Sequence, residues 1–219
     1  KLSYVPDAGS LGMRPPRDEC RAHYSLEPRD IAVLCFGALT RRKGVRLLLD
    51  AAKAYNGTGR IVVILAGTQD PETRNQVSEF VSQAESGRPR VIVRDEFVDT
   101  DEEHRLFSAC DIVWVGYPGF LGSSGVLIQA GCAGLPVISG KQGETGKTVR
   151  VSQSGMACDL ANPTEIEGAL RALADNPWLR ERLGRNGAAR SQRHSPGQFA
   201  ANILKIIEET AASSVPIPR

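Results

Sequence analysis

The chain has 219 residues, 41% of them hydrophobic and 24% charged, enough to bury one core and unlike a disordered or fibrous composition. A formal net charge of +2 and only 5% aromatic residues argue against a nucleic-acid partner. Cys20, Cys35, Cys110, Cys132 and Cys158 form no C-x-x-C pair and read as reduced, buried thiols of a cytoplasmic protein, and no apolar run is long enough for a membrane span.

The first thirty residues carry Pro6, Pro15, Pro16 and Pro28 with Gly9 and Gly12 between them, an irregular lead-in. Ile31–Phe36 is a continuous apolar run, as a strand buried on both faces requires. Gly44–Tyr55 sets Val45, Leu47, Leu48, Ala51 and Ala52 at helical spacing. Ile61–Leu65 is a second strand ending at Gly67, Glu72–Glu85 a helix and Val91–Val93 a third strand. Asp101–Cys110 is a helix with Thr100 as its N-cap. Ile112–Val115, the apolar helix Ser124–Ala133 and Pro136–Ile138 follow. Helices alone are expected after this fifth strand, over Thr164–Ala174, Pro177–Asn186 and Pro196–Ala212, before a frayed tail at Ser213–Arg219.

Strand and helix alternating at this spacing imply an α/β fold, a Rossmann-like parallel sheet sandwiched by helices. Ligands of such sheets bind outside the carboxyl ends of the strands. The loop after the first strand holds Gly37, then Arg41, Arg42 and Lys43 just before a helix N-terminus. Cations there are poor partners for the helix dipole unless an anion lies between; a solvated basic turn is the competing reading. The loop after the fourth strand runs Gly116 to Gln129, with Gly122-Ser-Ser-Gly125 opening a helix. Ser123 or Ser124 can cap that helix, whose free amides form a natural phosphate site. Gln129, about one turn further in, is placed to bond a ribose hydroxyl.

The loop after the fifth strand contains Gly146-Lys-Thr148, but a P-loop needs glycine where Lys141 stands, and no helix evidently opens there. His23, His104 and His194 are isolated, so no metal site is expected. Glu144, beside Gly143, is the one carboxylate at a carboxyl-end loop that stands out.

Phe36-Gly37 with Arg42-Lys43-Gly44 and Leu47–Leu49, then Leu65–Gly67, then Phe97-Val98 with Leu106-Phe107 and Ala109–Asp111, then Gly122–Val126 with Gln129-Ala130, Gly134–Val137 and Gly143-Glu144 together resemble the C-terminal, donor-binding domain of GT-B-fold, retaining, group-1 glycosyltransferases. The resemblance runs from Val5-Pro6-Asp7 to the last helix. It implies one half of a GT-B fold, with residues 1–30 a linker, 31–195 the nucleotide-sugar-binding domain and 196–219 a C-terminal helix and tail. It further implies hexosyl transfer from a nucleotide diphosphate sugar, UDP- or GDP-linked, to an acceptor hydroxyl with retention, as in polysaccharide biosynthesis, with no cofactor beyond that donor. Gly37, Arg41, Arg42, Lys43, Ser123, Ser124, Gly125 and Val126 would hold the diphosphate, Phe97, Val98 and Gln129 the nucleoside, and Glu144 the sugar; no catalytic residue is assigned. The family's first-loop arginine is replaced by Ala38. Its two donor-loop glutamates are replaced by Leu121, which cannot bond a sugar hydroxyl, and by Gln129. An acceptor-binding domain is expected before Lys1, where the chain opens without an initiating Met, so this portion alone would transfer nothing. The full protein would be cytoplasmic, with room for peripheral contact at the inner membrane. A non-catalytic nucleotide-sugar-binding domain and a GT-B-fold sugar-nucleotide epimerase are the alternative readings.

Overall fold

The apolar runs form the strands of one parallel sheet in a computed structural model that describes residues 8, 9, 12–83, 89–193 and 195–212. The strands are β1 (Asp30–Phe36), β2 (Arg60–Ala66), β3 (Arg90–Arg94), β4 (Ile112–Val115), β5 (Val137–Gly140) and β6 (Gly155–Cys158), in the order β3-β2-β1-β4-β5-β6. The helices are α1 (Arg17–His23), α2 (Val45–Ala54), α3 (Pro71–Ser82), α4 (Thr100–Ala109), α5 (Gly125–Ala133), α6 (Gly143–Ser152), α7 (Pro163–Asp175), α8 (Pro177–Gln192) and α9 (Pro196–Ala212).

Successive strand residues point to opposite faces, so each strand feeds two cores. Val33, Cys35, Val63, Leu65, Trp114 and Ile138 meet Leu48 and Leu49 of α2, Val77 and Phe80 of α3, and Leu170 and Leu173 of α7. Leu34, Val62, Ile64, Val113 and Val115 meet Leu106 and Phe107 of α4 and Leu127 and Ala130 of α5. The chain winds outward from β1 to β3, then returns to lay β4 beside β1. That reversal opens a crevice between the carboxyl ends of β1 and β4.

The structure departs from the sequence reading in several places. The lead-in contains α1, whose Cys20, with Tyr24 and Leu26, belongs to the α4–α5 core. Its arginines tie it down: Arg21 donates to the carbonyls of Ala109, Glu27 and Asp30 and to the Asp111 carboxylate, and Arg17 joins it on Asp111 at 2.6 Å. These are tertiary bonds that a seven-residue polar segment does not announce.

The loop after β5 does open a helix, α6, and a sixth strand follows before the terminal helices. Two glycines weaken α6 as an isolated helix, but its start is bonded elsewhere. The amides of Glu144 and Thr145 donate to the carbonyls of Leu121 and Gly122 at 2.8 and 3.3 Å, and Thr145 Oγ1 donates to Gly122 O at 2.8 Å. The cap of α4 is Asp99, accepting from the Glu102 amide at 2.8 Å, rather than Thr100, because its carboxylate reaches the first turn from an extended backbone. α8 runs to Gln192, beyond Asn186. Its Gly184 lies against the Gly134 carbonyl, and its Gly187 and Ser191 against Gly131. Val5–Asp7, Glu85, His194 and the 213–219 tail lie outside the described residues.

Candidate functional site

The crevice brings the first and fourth loops together. The β1 loop is pinned to the β2 loop by Leu39 N donating to Thr68 O at 2.8 Å and Asp70 N to Leu39 O at 3.1 Å. It then makes a 3₁₀ turn over Arg41–Lys43. The indole of buried Trp114 on β4 donates to the Lys43 carbonyl at 2.8 Å, so the sheet itself sets the height of the lysine.

Lys43 is 5% exposed. Its Nζ donates to the Phe36 carbonyl at 2.8 Å and to Tyr117 Oη at 3.1 Å, and sits 4.7 Å from the centre of the Tyr117 ring. Gly37, at φ +95°, passes directly over it. Tyr117 Oη in turn lies 3.4 Å from Ser124 Oγ, and Ser124 caps α5 by accepting from Leu127 N at 3.3 Å. One line of polar atoms therefore runs from Lys43 through Tyr117 to the start of α5. The amides of Gly125 and Val126 there have no intrahelical acceptor.

The electrostatics are lopsided. Burial holds the Lys43 ammonium below the ordinary lysine range, and the charge of Arg42 pushes the same way. Among the described residues Lys43 makes no ion pair. A buried cation without a counter-charge, beside the positive end of a helix, suits an anion. Burial also raises the Tyr117 phenol, which stays neutral and accepts from Lys43 and Ser124.

The other sequence candidates fall around this group. Arg41 is exposed and held by its backbone, whose amide donates to Asp70 at 3.2 Å. Arg42 is exposed and stacks 5.1 Å over Phe120. Ser123 and Gly125 are exposed on the turn, and Val126 is buried behind them. Val98 packs partly into the α4–α5 core, while Phe97 stands 85% exposed past β3 and no ring contact ties it to Lys43 or Ser124. The Gln129 amide is not free: Nε2 donates to Glu103 at 2.7 Å. The Glu144 carboxylate turns to Lys147 at 3.7 Å, and its contribution to the turn is its backbone amide. Leu121 is 66% exposed, offering no polar side chain.

Tyr117, which links the two loops, went unremarked in the sequence. Its signal was position, directly after β4 on the informative loop. Equally unmarked was a cavity of about 250 Å³ between the ends of β4, β5 and β6, walled by Tyr117, Phe120, Leu160 and the Lys141–Asp159 ion pair. Among the described residues no group of three His, Cys, Asp or Glu side chains could hold a metal ion, and no helix is long and apolar enough to cross a membrane.

Known proteins resemble this chain in sequence and in fold. The D-inositol 3-phosphate glycosyltransferase of a Nocardioides species is 27% identical across 97% of this chain and 49% of its own length. The chain spans about half the length of the curated relatives it matches. Anabaena Alr3699/HepE, solved in complex with UDP-glucose, superposes with a TM-score of 0.77 at 16% identity, over 94% of this chain and 57% of that one. The C-terminal domain of the Francisella tularensis group 1 glycosyl transferase LpcC superposes with a TM-score of 0.71 at 18% identity, over 87% of this chain and 99% of that one. The fold is thus the α/β, Rossmann-like one of GT-B glycosyltransferase structures, as the resemblance implied. The family model described as "Glycosyl transferases group 1" matches residues 30–176, from the start of β1 through both crevice loops to the end of α7, and the chain belongs to that family.

Proposed function

We propose that this chain binds the nucleotide-sugar donor of a hexosyltransferase, with the donor diphosphate between Lys43 and the first amides of α5. The observation that carries the reading is Lys43 itself, buried without an anionic partner among the described residues and joined through Tyr117 to Ser124. In glycosyl transfer the diphosphate leaves with growing negative charge, and fixed donors around it lower the barrier. Lys43 Nζ, Ser124 and the amides of Gly125 and Val126 are such donors, and Arg41 and Arg42 at the rim add field. Family membership and the UDP-glucose complex of Alr3699/HepE support a UDP-linked donor, with GDP the alternative.

The base lies towards Phe97 and Val98, and the hexosyl ring towards Glu144 and the cavity beside Tyr117. Transfer proceeds with retention to an acceptor hydroxyl held by an N-terminal domain outside this chain, in the cytoplasm, with peripheral membrane contact a property of the whole protein. Calorimetry with UDP, GDP, ADP and UDP-glucose tests the reading: a nucleoside diphosphate should bind, and Lys43→Ala should weaken it. Silence from the whole panel at millimolar concentration sinks it.

A further inference from the structure

Glu103 is a half-buried carboxylate on α4 with no ion pair among the described residues, and its one hydrogen bond comes from Gln129 Nε2 at 2.7 Å. Its neighbour Glu102 shows the usual arrangement, with Tyr24 Oη at 2.9 Å and Arg105 at 3.3 Å on its two oxygens. Half-buried carboxylates ordinarily find such partners, because a desolvated charge is expensive to leave alone. Among the described residues the second oxygen of Glu103 has none.

Its position gives that oxygen a use. Gln129 lies four residues beyond Gly125, about 6 Å along the helix axis. Gly125 and Gln129 line one open cavity of about 440 Å³, with Ile128, Gly9 and Phe199. Glu103 comes six residues after Phe97, at the first turn of α4. In a nucleoside diphosphate the ribose joins base to phosphate. A ligand with its diphosphate on the amides of α5 and its base towards the β3 loop carries its ribose past the facing sides of α4 and α5. The ribose presents two vicinal hydroxyl donors there, and a carboxylate presents two acceptors in matching geometry.

We propose that Glu103, oriented by Gln129, reads the 2′,3′-diol of the donor's ribose, so that the charge absent from α5 at Gln129 is supplied from α4. Gln129 is then a positioning residue, its amide fixing the carboxylate while its carbonyl remains an acceptor. Burial raises the Glu103 carboxyl, against the opposing effects of His104 and Gln129, as expected of a carboxylate whose water has been removed and whose ligand is to come.

The inference rests on the donor-binding reading and can fail separately from it. Calorimetry on the chain compares UDP and GDP, each with its 2′,3′-dideoxy analogue, for the wild type, Glu103→Ala, Glu103→Gln and Lys43→Ala. The wild type should prefer the ribose form by about 10-fold or more, the effect of a charged hydrogen bond. Both Glu103 variants should cut that preference to about 2-fold or less. Lys43→Ala should weaken both ligands alike and leave the ratio intact. A preference that survives in either folded Glu103 variant overturns the proposal and spares the donor reading. So does a wild type that binds both forms equally, which needs no variant at all. A wild type that binds no diphosphate overturns both.

Discussion

Lys43→Met separates anion binding from folding more cleanly than any other change in the crevice. Methionine keeps the length and flexibility of the stem and removes the charge. Among the described residues the buried ammonium's partners are neutral, the Phe36 carbonyl and Tyr117. Removing an unpaired buried charge relieves a desolvation cost of about a few kcal/mol. Against this, the Phe36 carbonyl loses its donor at about 1–3 kcal/mol. Tyr117 keeps Ser124 at 3.4 Å. The two effects nearly cancel, so stability should move by no more than about 2 kcal/mol, or about 4–8 °C in Tm. Diphosphate binding should respond differently: a lost charged hydrogen bond weakens it by about 1.5–3 kcal/mol, roughly 10- to 150-fold. Thermal melts and calorimetry with UDP read the two quantities on one sample. A variant destabilised by more than about 4 kcal/mol, or one that binds UDP as the wild type does, would refute the reasoning and make Lys43 a structural residue.

Diphosphate affinity should fall as pH rises through the free-state pKa of Lys43, which lies below the ordinary 10.5, because the bound anion favours the charged form; a flat titration into the alkaline range would exclude Lys43 as the contact. Ser124→Ala removes the α5 cap and should lower stability by about 0.5–2 kcal/mol in urea denaturation, with UDP binding weakened as well. Burial alone would raise the Asp30 carboxyl, but the Arg60 fork at 2.8 and 2.9 Å and the Glu27 amide hold it below 3.8. Its contribution is therefore full above that value and lost as pH falls through the lowered one, so Asp30→Ala should cost about 1.5–3 kcal/mol, about 3–12 °C, at pH 7, with the gap closing only below about pH 4. Gly184→Val should force α8 away from the Gly134 carbonyl at about 1–3 kcal/mol; an unchanged Tm would show that the two helices are not in tight contact.

The sheet was legible because its strands are buried on both faces and therefore uniformly apolar. β1, β2 and β4 fall within a residue of the runs that announce them. β6 was not legible: Gly155-Met-Ala-Cys158 is short, opens on glycine and borrows its order from β5, which pairs with it along its whole length. α1 and α6 were missed for a shared reason. Each is short and polar, and each is held by hydrogen bonds to distant segments, Arg17 and Arg21 to residues 108–111, Glu144 and Thr145 to residues 121 and 122. Local propensity carries no trace of such partners.

The candidate site divides along the same line. Residue types that bind anions can be read from loops, so Lys43 and the Gly-Ser-Ser-Gly turn are candidates on sequence alone, and the structure adds how they are joined. Tyr117 bridges them, and α6 holds the turn from its far side through two carbonyls. The same α6 bonds give Glu144 a part in the turn: its backbone amide faces the turn while its side chain pairs with Lys147. A turn fixed from both sides presents its amides without reorganising on binding, the condition under which fixed dipoles stabilise a leaving group best. Thr145→Val tests this directly. It keeps the shape and removes the Oγ1 bond to Gly122, so stability should fall by about 1 kcal/mol. UDP affinity should drop further than the loss of a remote surface bond allows, by about threefold or more. Equal UDP affinity in the two proteins, at that reduced stability, would mean that the turn forms its binding geometry without α6.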